Sequence, residues 1–387
     1  MDEKVTATDF PSVGNRLTPA EAMRLAILEG AKGAGFVSPN PLVGCTIVDP
    51  DHRFLAVGYH RRHGSDHAEV DALKKLSTIE GCHLYVTLEP CAHQGRTPSC
   101  AKTLAPLKPA SVTYAVEDPN PLVAGKGAAI LREAGIKTQA FADRNDVPGV
   151  DKVEIVEAAE ELAEIFLHVH RKKAPFVAVK VATSLDGQMA MVSGESKWIT
   201  GEIAREHVHV VRAQYDAVAV GHATFFSDDP SLNVRHPSFP GHTNRAVLFD
   251  FGGTAFESLS KSKLLSVRPP ENVIVVTGPD VARGSSGIRH IQVPIDDEGK
   301  FEMKTLLESL GNEGLNSLLV EGGAYTFGSF FQARAVQRVH VYVAPVVIGG
   351  RHAISWSRHF GGSALAENLT LKNVRRQEFG PDLYWTG

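Results

Sequence analysis

Short apolar runs alternate with helix-periodic stretches along this chain, in two successive sets, and that pattern allows little besides layered α/β domains. In the first set VGCTIV (43–48), FLAVGY (54–59), HLYVTL (83–88) and SVTYAV (111–116) read as strands. HAEVDALKKL (67–76) and GAAILREAG (127–135) read as helices. The set opens on a helix carrying Met23, Leu25, Ala26 and Leu28, announced by Thr18-Pro19-Ala20-Glu21, a capping box with proline at the first helical position. An amphipathic stretch (153–173) ended by Pro175 then separates the sets. The second set runs through PFVAVKVA (175–182), DAVAVG (216–221), RAVLFD (245–250), NVIVVTG (272–278), HIQVP (290–294), SLLVEGG (317–323) and HVYVAPVVIGG (340–350). A loop is expected from Phe225 to Thr243, where Pro, Asp, His and Ser show no period. The expected organisation is a loose leader (1–17), a first domain (18–165) and a second (172–387). A length of 387 residues also suits about two domains.

Charge and composition exclude several classes. Net charge is −4, and the longest basic cluster, Arg171-Lys172-Lys173, reads as a solvated helix end. No Lys/Arg stripe marks a nucleic-acid partner. No apolar run approaches the ~20 residues that span a bilayer, so no membrane association is expected. The N-terminal MDEKVTATDF lacks the order of a signal peptide, so a cytoplasmic protein with reduced thiols is expected. Its four cysteines are then candidates for metal binding or packing. Cys45 and Cys82, in apolar strand patterns, read as packing.

The sharpest chemical signal lies between His67 and Cys100: H-A-E (67–69), then P-C-A-H-Q-G-R-T-P-S-C (90–100). Catalytic zinc takes three protein ligands and leaves one position for water. His67, Cys91 and Cys100 supply an imidazole and two thiolates. Glu69 is the expected general acid/base, carrying a proton from that water to a leaving amine. This is the order of the zinc nucleobase deaminases, with a longer spacing between the cysteines. A structural zinc would need a fourth ligand, which His93 could provide. A substrate role for His93 is the other reading. Asn40 in S-P-N-P is held by prolines on both sides, which suits an amide reading a heterocycle edge as well as a plain turn.

In the second half no G-x-G-x-x-G occurs. Glycines cluster instead at EGGAYTFGS (321–329), between the strand SLLV and a helix-like FFQARAV. Such a turn places backbone N–H groups against phosphate, or is simply a tight turn.

The motif block with its long P-C-x-H-x-G-R-T-x-x-C spacing resembles the bifunctional deaminase/reductase family of riboflavin biosynthesis. So do SPNPLVGC (38–45), GYHRRHGSDHAEV (58–70) and EDPNPLVAGKG (117–127). In the second half VKVATSLDGQMAMVSGESKWIT (179–200) and REHVHVVRAQYDAVAVGHATFFSDDPSLNVR (205–235) carry the likeness. The family commonly has proline where Ser99 stands here. The resemblance implies a cytidine-deaminase-like three-layer α/β/α domain followed by a dihydrofolate-reductase-like α/β domain. It implies one Zn²⁺ per chain, NADPH, a pyrimidine ribotide substrate and a homo-oligomer. On it, Asn40, Asp118 and Asn120 line the pyrimidine pocket. Ala182, Trp198, Thr224, Asp228, Gly323, Ala324, Tyr325, Thr326, Phe327, Gly328 and Ser329 contact NADPH. Ser196, Arg212, Leu232, Arg235 and Glu321 contact substrate, with Arg212 and Arg235 as a bidentate clamp on its phosphate. The reductase proton could come from Asp228, Lys180 or water. A nucleic-acid-editing deaminase would need a basic face and stacking aromatics, which the charge and the 7% aromatic content do not supply. A non-catalytic binding protein would lack Glu69, a zinc ligand or the reductase motifs, and all are present.

Overall fold

The computed structural model describes residues 10–92, 98–120, 123–282, 287–361 and 368–387. The chain divides into two compact units, Met1–Lys172 and Lys173–Gly387. The first is built from α1 (Pro19–Gly30), β1 (Gly44–Val48), β2 (Phe54–Tyr59), α2 (Ala68–Leu73), β3 (His83–Leu88), α3 (Cys100–Leu104), β4 (Ser111–Val116), α4 (Lys126–Glu133), β5 (Lys137–Ala140), α5 (Gly149–Leu162) and α6 (Glu164–Lys172). Its sheet has the order β2-β1-β3-β4-β5; β1 is antiparallel to both neighbours, and β3, β4 and β5 are parallel.

β1 to β4 are largely buried on both sides because helices cover both faces. Cys45, Ile47, Leu84, Val86 and Val112 pack with Ala68 and Ala72 of α2, Ala101 and Leu104 of α3 and Leu131 of α4. From the opposite face Val48 and Tyr85 meet Met23 and Ala26 of α1 and Ile155 and Ala159 of α5. The result is the expected three-layer domain. Cys45 and Cys82 are buried within it. The capping box forms as read: Glu21 N–H donates to Thr18 Oγ1, and Glu21 reaches back to the Thr18 N–H.

Three readings need correction here. The single helix expected over 153–173 is two, broken at Ala163, whose backbone (φ −99°, ψ 11°) leaves the helical region. The leader is not loose from Gly14 onward: Gly14 and Leu17 N–H groups donate to Phe54 and His52 carbonyls, and Phe54 N–H donates to Asn15. The polar strand β5 and the five-residue α3 are too short and too polar to show a period.

The second unit comprises β6 (Phe176–Ser184), β7 (Gln188–Ala190), α7 (Glu202–Ala213), β8 (Ala217–Gly221), α8 (His222–Asp228), β9 (Arg245–Phe249), α9 (Phe256–Leu259), α10 (Lys263–Ser266), β10 (Val273–Thr277), β11 (Arg289–Gln292), α11 (Met303–Asn312), β12 (Ser317–Val320), α12 (Ala324–Gln332), β13 (Arg338–Ala344), β14 (Ile354–Ser355), β15 (Arg375–Phe379) and β16 (Asp382–Thr386). Its large sheet is ordered β11-β10-β9-β8-β12-β6-β13-β16-β15, parallel up to β13 and antiparallel in the last two strands. β12 returns to lie between β8 and β6, so the connections leaving β8 and β12 diverge, and an open α/β sheet forms its ligand crevice at such a switch point. The last two strands escape the sequence reading: RRQEF of the edge strand β15 is exposed and polar, and DLYWT of β16 buries only alternate residues. The strand expected through Gly350 stops at Ala344. Beyond it, Ile348 and Gly349 N–H groups turn to the Asp186 carboxylate (3.0 and 2.8 Å) instead of a neighbouring strand. The expected loop from Phe225 begins later, because α8 runs on to Asp228.

Candidate active sites

In the first unit, strand-to-helix turns deliver the side chains that could ligate a metal. His67 is the N-cap of α2, which places Glu69 in that helix's first turn. α2 lies hard against β2: a Cβ at Gly58 would stand 2.3 Å from the Ala72 nitrogen, so only glycine admits this approach. Cys91 follows the end of β3, and Cys100 opens α3. The hydroxyl of Ser99 accepts the Lys102 N–H and donates to the Cys91 carbonyl (2.7 Å), tying the two ligand segments together. A serine at this position therefore makes a bond that proline could not.

His67 Nδ1 lies 3.2 Å from Cys100 Sγ and 3.6 Å from Cys91 Sγ, and the three ligand atoms fall within 4.8 Å of one another. Ligands in a zinc tetrahedron with one nitrogen and two sulfurs stand about 3.6 Å apart, so this donor set fits Zn²⁺. The Cys91 thiol is held well below its ordinary range, first by a hydrogen bond with Cys100 and then by His67. Glu69 is buried, and burial, followed by the Cys91 charge, raises its carboxyl pKa. His93 lies outside the described residues.

Of the expected pyrimidine contacts, Asn40 is linked to this centre through His60. Asn40 is half-buried, its amide 3.0 Å from His60 Nε2, and the His60 ring meets the His67 ring edge-on at 5.4 Å. Asp118 and Asn120 form one turn, with Asn120 N–H donating to Asp118 Oδ1 (2.9 Å). Sequence reasoning missed the residue that holds this turn. Glu89, buried at the end of β3 two residues before Cys91, accepts N–H groups from Asp118 (3.4 Å), Gly125 (3.0 Å) and Ala128 (3.0 Å). Its position immediately before Pro90-Cys91 was the available signal.

In the second unit Arg212, near the end of α7, forms a two-pronged pair with Glu321 just past β12: Nε to Oε1 is 2.6 Å and Nη2 to Oε2 is 2.8 Å. Its Nη1 donates to the Asn233 carbonyl (3.1 Å). The two-pronged face expected to clamp a phosphate is turned to Glu321, and three of the five N–H donors of Arg212 are bound within the protein. Arg235 remains half-exposed at the guanidinium end, bonded to Ser231 and Asn233. Burial would raise the Glu321 pKa, but the Arg212 charge and hydrogen bonds bring it down to about 2. Lys180 on β6 is pushed down by burial, with Glu321 opposing that shift. Leu232 is buried, and its carbonyl accepts from the Asn244 amide (3.1 Å).

At the switch point the glycine cluster behaves as a strand-to-helix turn, with α12 starting at Ala324, earlier than the helix-like FFQARAV suggested. A Cβ at Gly221, the last residue of β8, would lie 2.4 Å from Thr326 Oγ1. Thr224 Oγ1 lies beside Gly322 and Gly323 from α8. A cavity of about 510 Å³ opens here, lined by Gly221, Gly323, Ala324, Tyr325, Thr326 and Ser329 together with Phe249, Phe251 and Phe301. Of the residues expected at the cofactor, Gly323, Ala324, Tyr325, Thr326 and Ser329 line it, whereas Ala182, Trp198, Thr224, Asp228, Phe327 and Gly328 do not. Phe327 is buried in the core, and Gly328 backs onto His359. The phenylalanines went unnoticed because they come from the end of β9 and a distant loop. An apolar cavity beside the free N–H groups opening α12 fits a dinucleotide, a flat base and a charged phosphate. Ala182 shares the Lys180 face of β6. Asp228 closes α8 and accepts the Lys197 ammonium at its carbonyl (3.1 Å). Ser196 is half-buried, whereas Trp198 is exposed with the Arg205 guanidinium 4.6 Å above its ring.

Residues 18–116 match the cytidine and deoxycytidylate deaminase zinc-binding region, and residues 175–384 match the RibD C-terminal domain. The riboflavin biosynthesis protein RibD of Bacillus amyloliquefaciens is 36% identical, over 94% of each chain. The chain belongs to the RibD family. Among solved structures, RibD of Acinetobacter baumannii aligns at 34% identity and TM-score 0.79, covering 95% of this chain and 98% of that one. A deaminase/reductase from Thermotoga maritima, named for a diaminohydroxyphosphoribosylaminopyrimidine and a 5-amino-6-(5-phosphoribosylamino)uracil, aligns at 31% and 0.77, covering 95% and 97%. As a RibD-family protein the chain is a bifunctional deaminase and reductase of riboflavin biosynthesis, with Zn²⁺ and NADPH as cofactors. No helix among the described residues is long and apolar enough to cross a membrane.

Proposed function

We propose that residues 18–165 deaminate 2,5-diamino-6-ribosylamino-4(3H)-pyrimidinone 5′-phosphate, and that residues 172–387 then reduce the ribosyl side chain of the product to ribityl with NADPH. The observation that carries the reading is the convergence of His67, Cys91 and Cys100 beside a buried Glu69, on the same chain as the Arg212–Glu321 site. His67, Cys91 and Cys100 hold the zinc, which when bound acidifies water and polarises it for attack on the amino-bearing ring carbon. Glu69, whose raised pKa suits both directions of transfer, takes the proton of that water and gives it to the departing amine. Water replaces the ring amino group with a carbonyl oxygen, and ammonia leaves. Asn40, with Asp118 and Asn120, orients the heterocycle. Three protein ligands with a buried Glu69 beside them favour catalysis over a structural zinc, which takes four.

In the second unit Gly323 to Thr326 and Ser329 receive the cofactor, with Ala182, Trp198, Thr224 and Asp228 around it. NADPH supplies the hydride for C1′. Arg235 takes the ribotide phosphate, Ser196 and the Leu232 backbone flank it, and the Arg212-bound Glu321 accepts ribose hydroxyls. Lys180 delivers the proton: burial lowers its pKa and Glu321 keeps it in place. We further propose a cytoplasmic homo-oligomer with no nucleic-acid or membrane partner. Mass spectrometry of the purified protein with the diaminopyrimidine ribotide and NADPH tests the reading. A product without the ring amino group and with two added hydrogens is expected, and deamination without reduction would overturn the second half of the assignment.

A further inference from the structure

We propose that Arg268 is a phosphate-monoester-binding residue of the second unit, the cation that completes the Arg212–Arg235 site. The proposal rests on reading this unit as the reductase for a ribotide. Arg268 is only 6% exposed, yet among the described residues none of its three guanidinium nitrogens has a hydrogen-bond partner. An enclosed, unpaired guanidinium is a poor arrangement for a protein to keep unless an anion meets it.

The surroundings identify the anion. Arg268 directly follows α10, and Lys263 at the start of α10 is bound to Asp229, its N–H 2.9 Å from Oδ1 and its ammonium 3.5 Å from Oδ2. Asp229 opens the loop that carries Leu232 and Arg235. Burial first, and then the Arg212 charge, lower the pKa values of both Arg235 and Arg268, so the Arg212 guanidinium is felt at both. Glu321 cannot balance all three charges, since both its oxygens are bound to Arg212. The excess positive charge calls for a dianion with several acceptor oxygens, which a phosphate monoester provides and a carboxylate does not. Two such groups enter this unit: the 5′-phosphate of the ribotide and the 2′-phosphate that separates NADPH from NADH. Because the nitrogens are enclosed, the contact forms by rotation of the flexible stem as the phosphate arrives.

Calorimetric titration of full-length, zinc-loaded protein with ribose 5-phosphate, ribose, NADPH and NADH tests this, using Arg268→Met and Arg268→Lys. Arg268→Met is expected to weaken ribose 5-phosphate binding by about tenfold or more, the loss of a charge-assisted bond, leaving ribose unchanged. Arg268→Lys should restore part of it. The ligand-free thermal midpoint of Arg268→Met should hold or rise, because an unpaired buried charge is gone. If the loss falls on NADPH alone, with NADH unaffected, the monoester is the 2′-phosphate and the residue's chemistry stands. Unchanged affinity for both phosphates overturns the proposal. Should Arg268→Met fail to fold, Arg268→Lys and Arg268→Gln carry the same comparison. A wild-type protein that binds no NADPH would sink the reductase reading instead.

Discussion

Glu69 owes its usefulness to its burial. A surface glutamate would stay ionised near neutrality and could not readily hold a proton, whereas this one is buried in the first turn of α2 with its pKa raised by desolvation and by Cys91. Glu69→Gln keeps the shape and removes the proton carrier. Zinc content measured by atomic absorption should stay at the wild-type level while deamination falls by about 10²–10⁴-fold. Full ammonia release from this variant would show that another group moves the proton. At the second site, Glu321 titrates far below its ordinary value of 4.5. Its carboxylate therefore stabilises the folded unit fully above about pH 4.5, and that contribution is lost as pH falls towards 2. Glu321→Gln should flatten the acid limb of a stability-versus-pH curve measured by denaturant unfolding. An unchanged acid limb would mean the pair with Arg212 is silent in stability.

Elements position these residues through close packing that tolerates little. α2 can present both His67 and Glu69 only because β2 offers a glycine where the helix backbone passes, with Ala72 N and Ala68 O both within 2.4 Å of a would-be Cβ at Gly58. Gly58→Val should force α2 outward and cost about 1–3 kcal/mol in unfolding free energy. Deamination should fall as well, since the ligand and the acid/base ride on that helix. Circular dichroism melts and ammonia release check the two effects together; loss of stability without loss of deamination would separate the helix from the site. α12 plays the same part in the second unit. It begins where β12 and β8 part company, and the glycines at 322 and 323 leave room for Thr224 at its N-terminus.

For the whole molecule, two chemistries on two compact units imply separable cofactor dependence. Removing zinc with a chelator should abolish deamination, while NADPH oxidation supported by the already deaminated ribotide continues. Loss of both activities would indicate that the metal also supports the fold beyond its own unit. Much of this organisation was legible in the chain. Buried strands read as unbroken apolar runs, the capping box marked the first helix, and H-A-E with the two later cysteines named a metal set because zinc chemistry demands those donors in few arrangements. The α/β class and the zinc followed from patterns that are local or nearly so, whereas NADPH came from the family resemblance. Other features were decided only by tertiary structure. Arg212 finds Glu321 across 109 residues, Glu89 gathers backbone groups up to 39 residues away, and Phe249, Phe251 and Phe301 meet around one cavity. Phe327 and Gly328 turn away from that cavity because a helix carries successive residues around its axis. Periodicity records which face of an element is buried. It carries no trace of which distant side chain will share that burial, and the pairing of charges and the lining of a cavity depend on that alone.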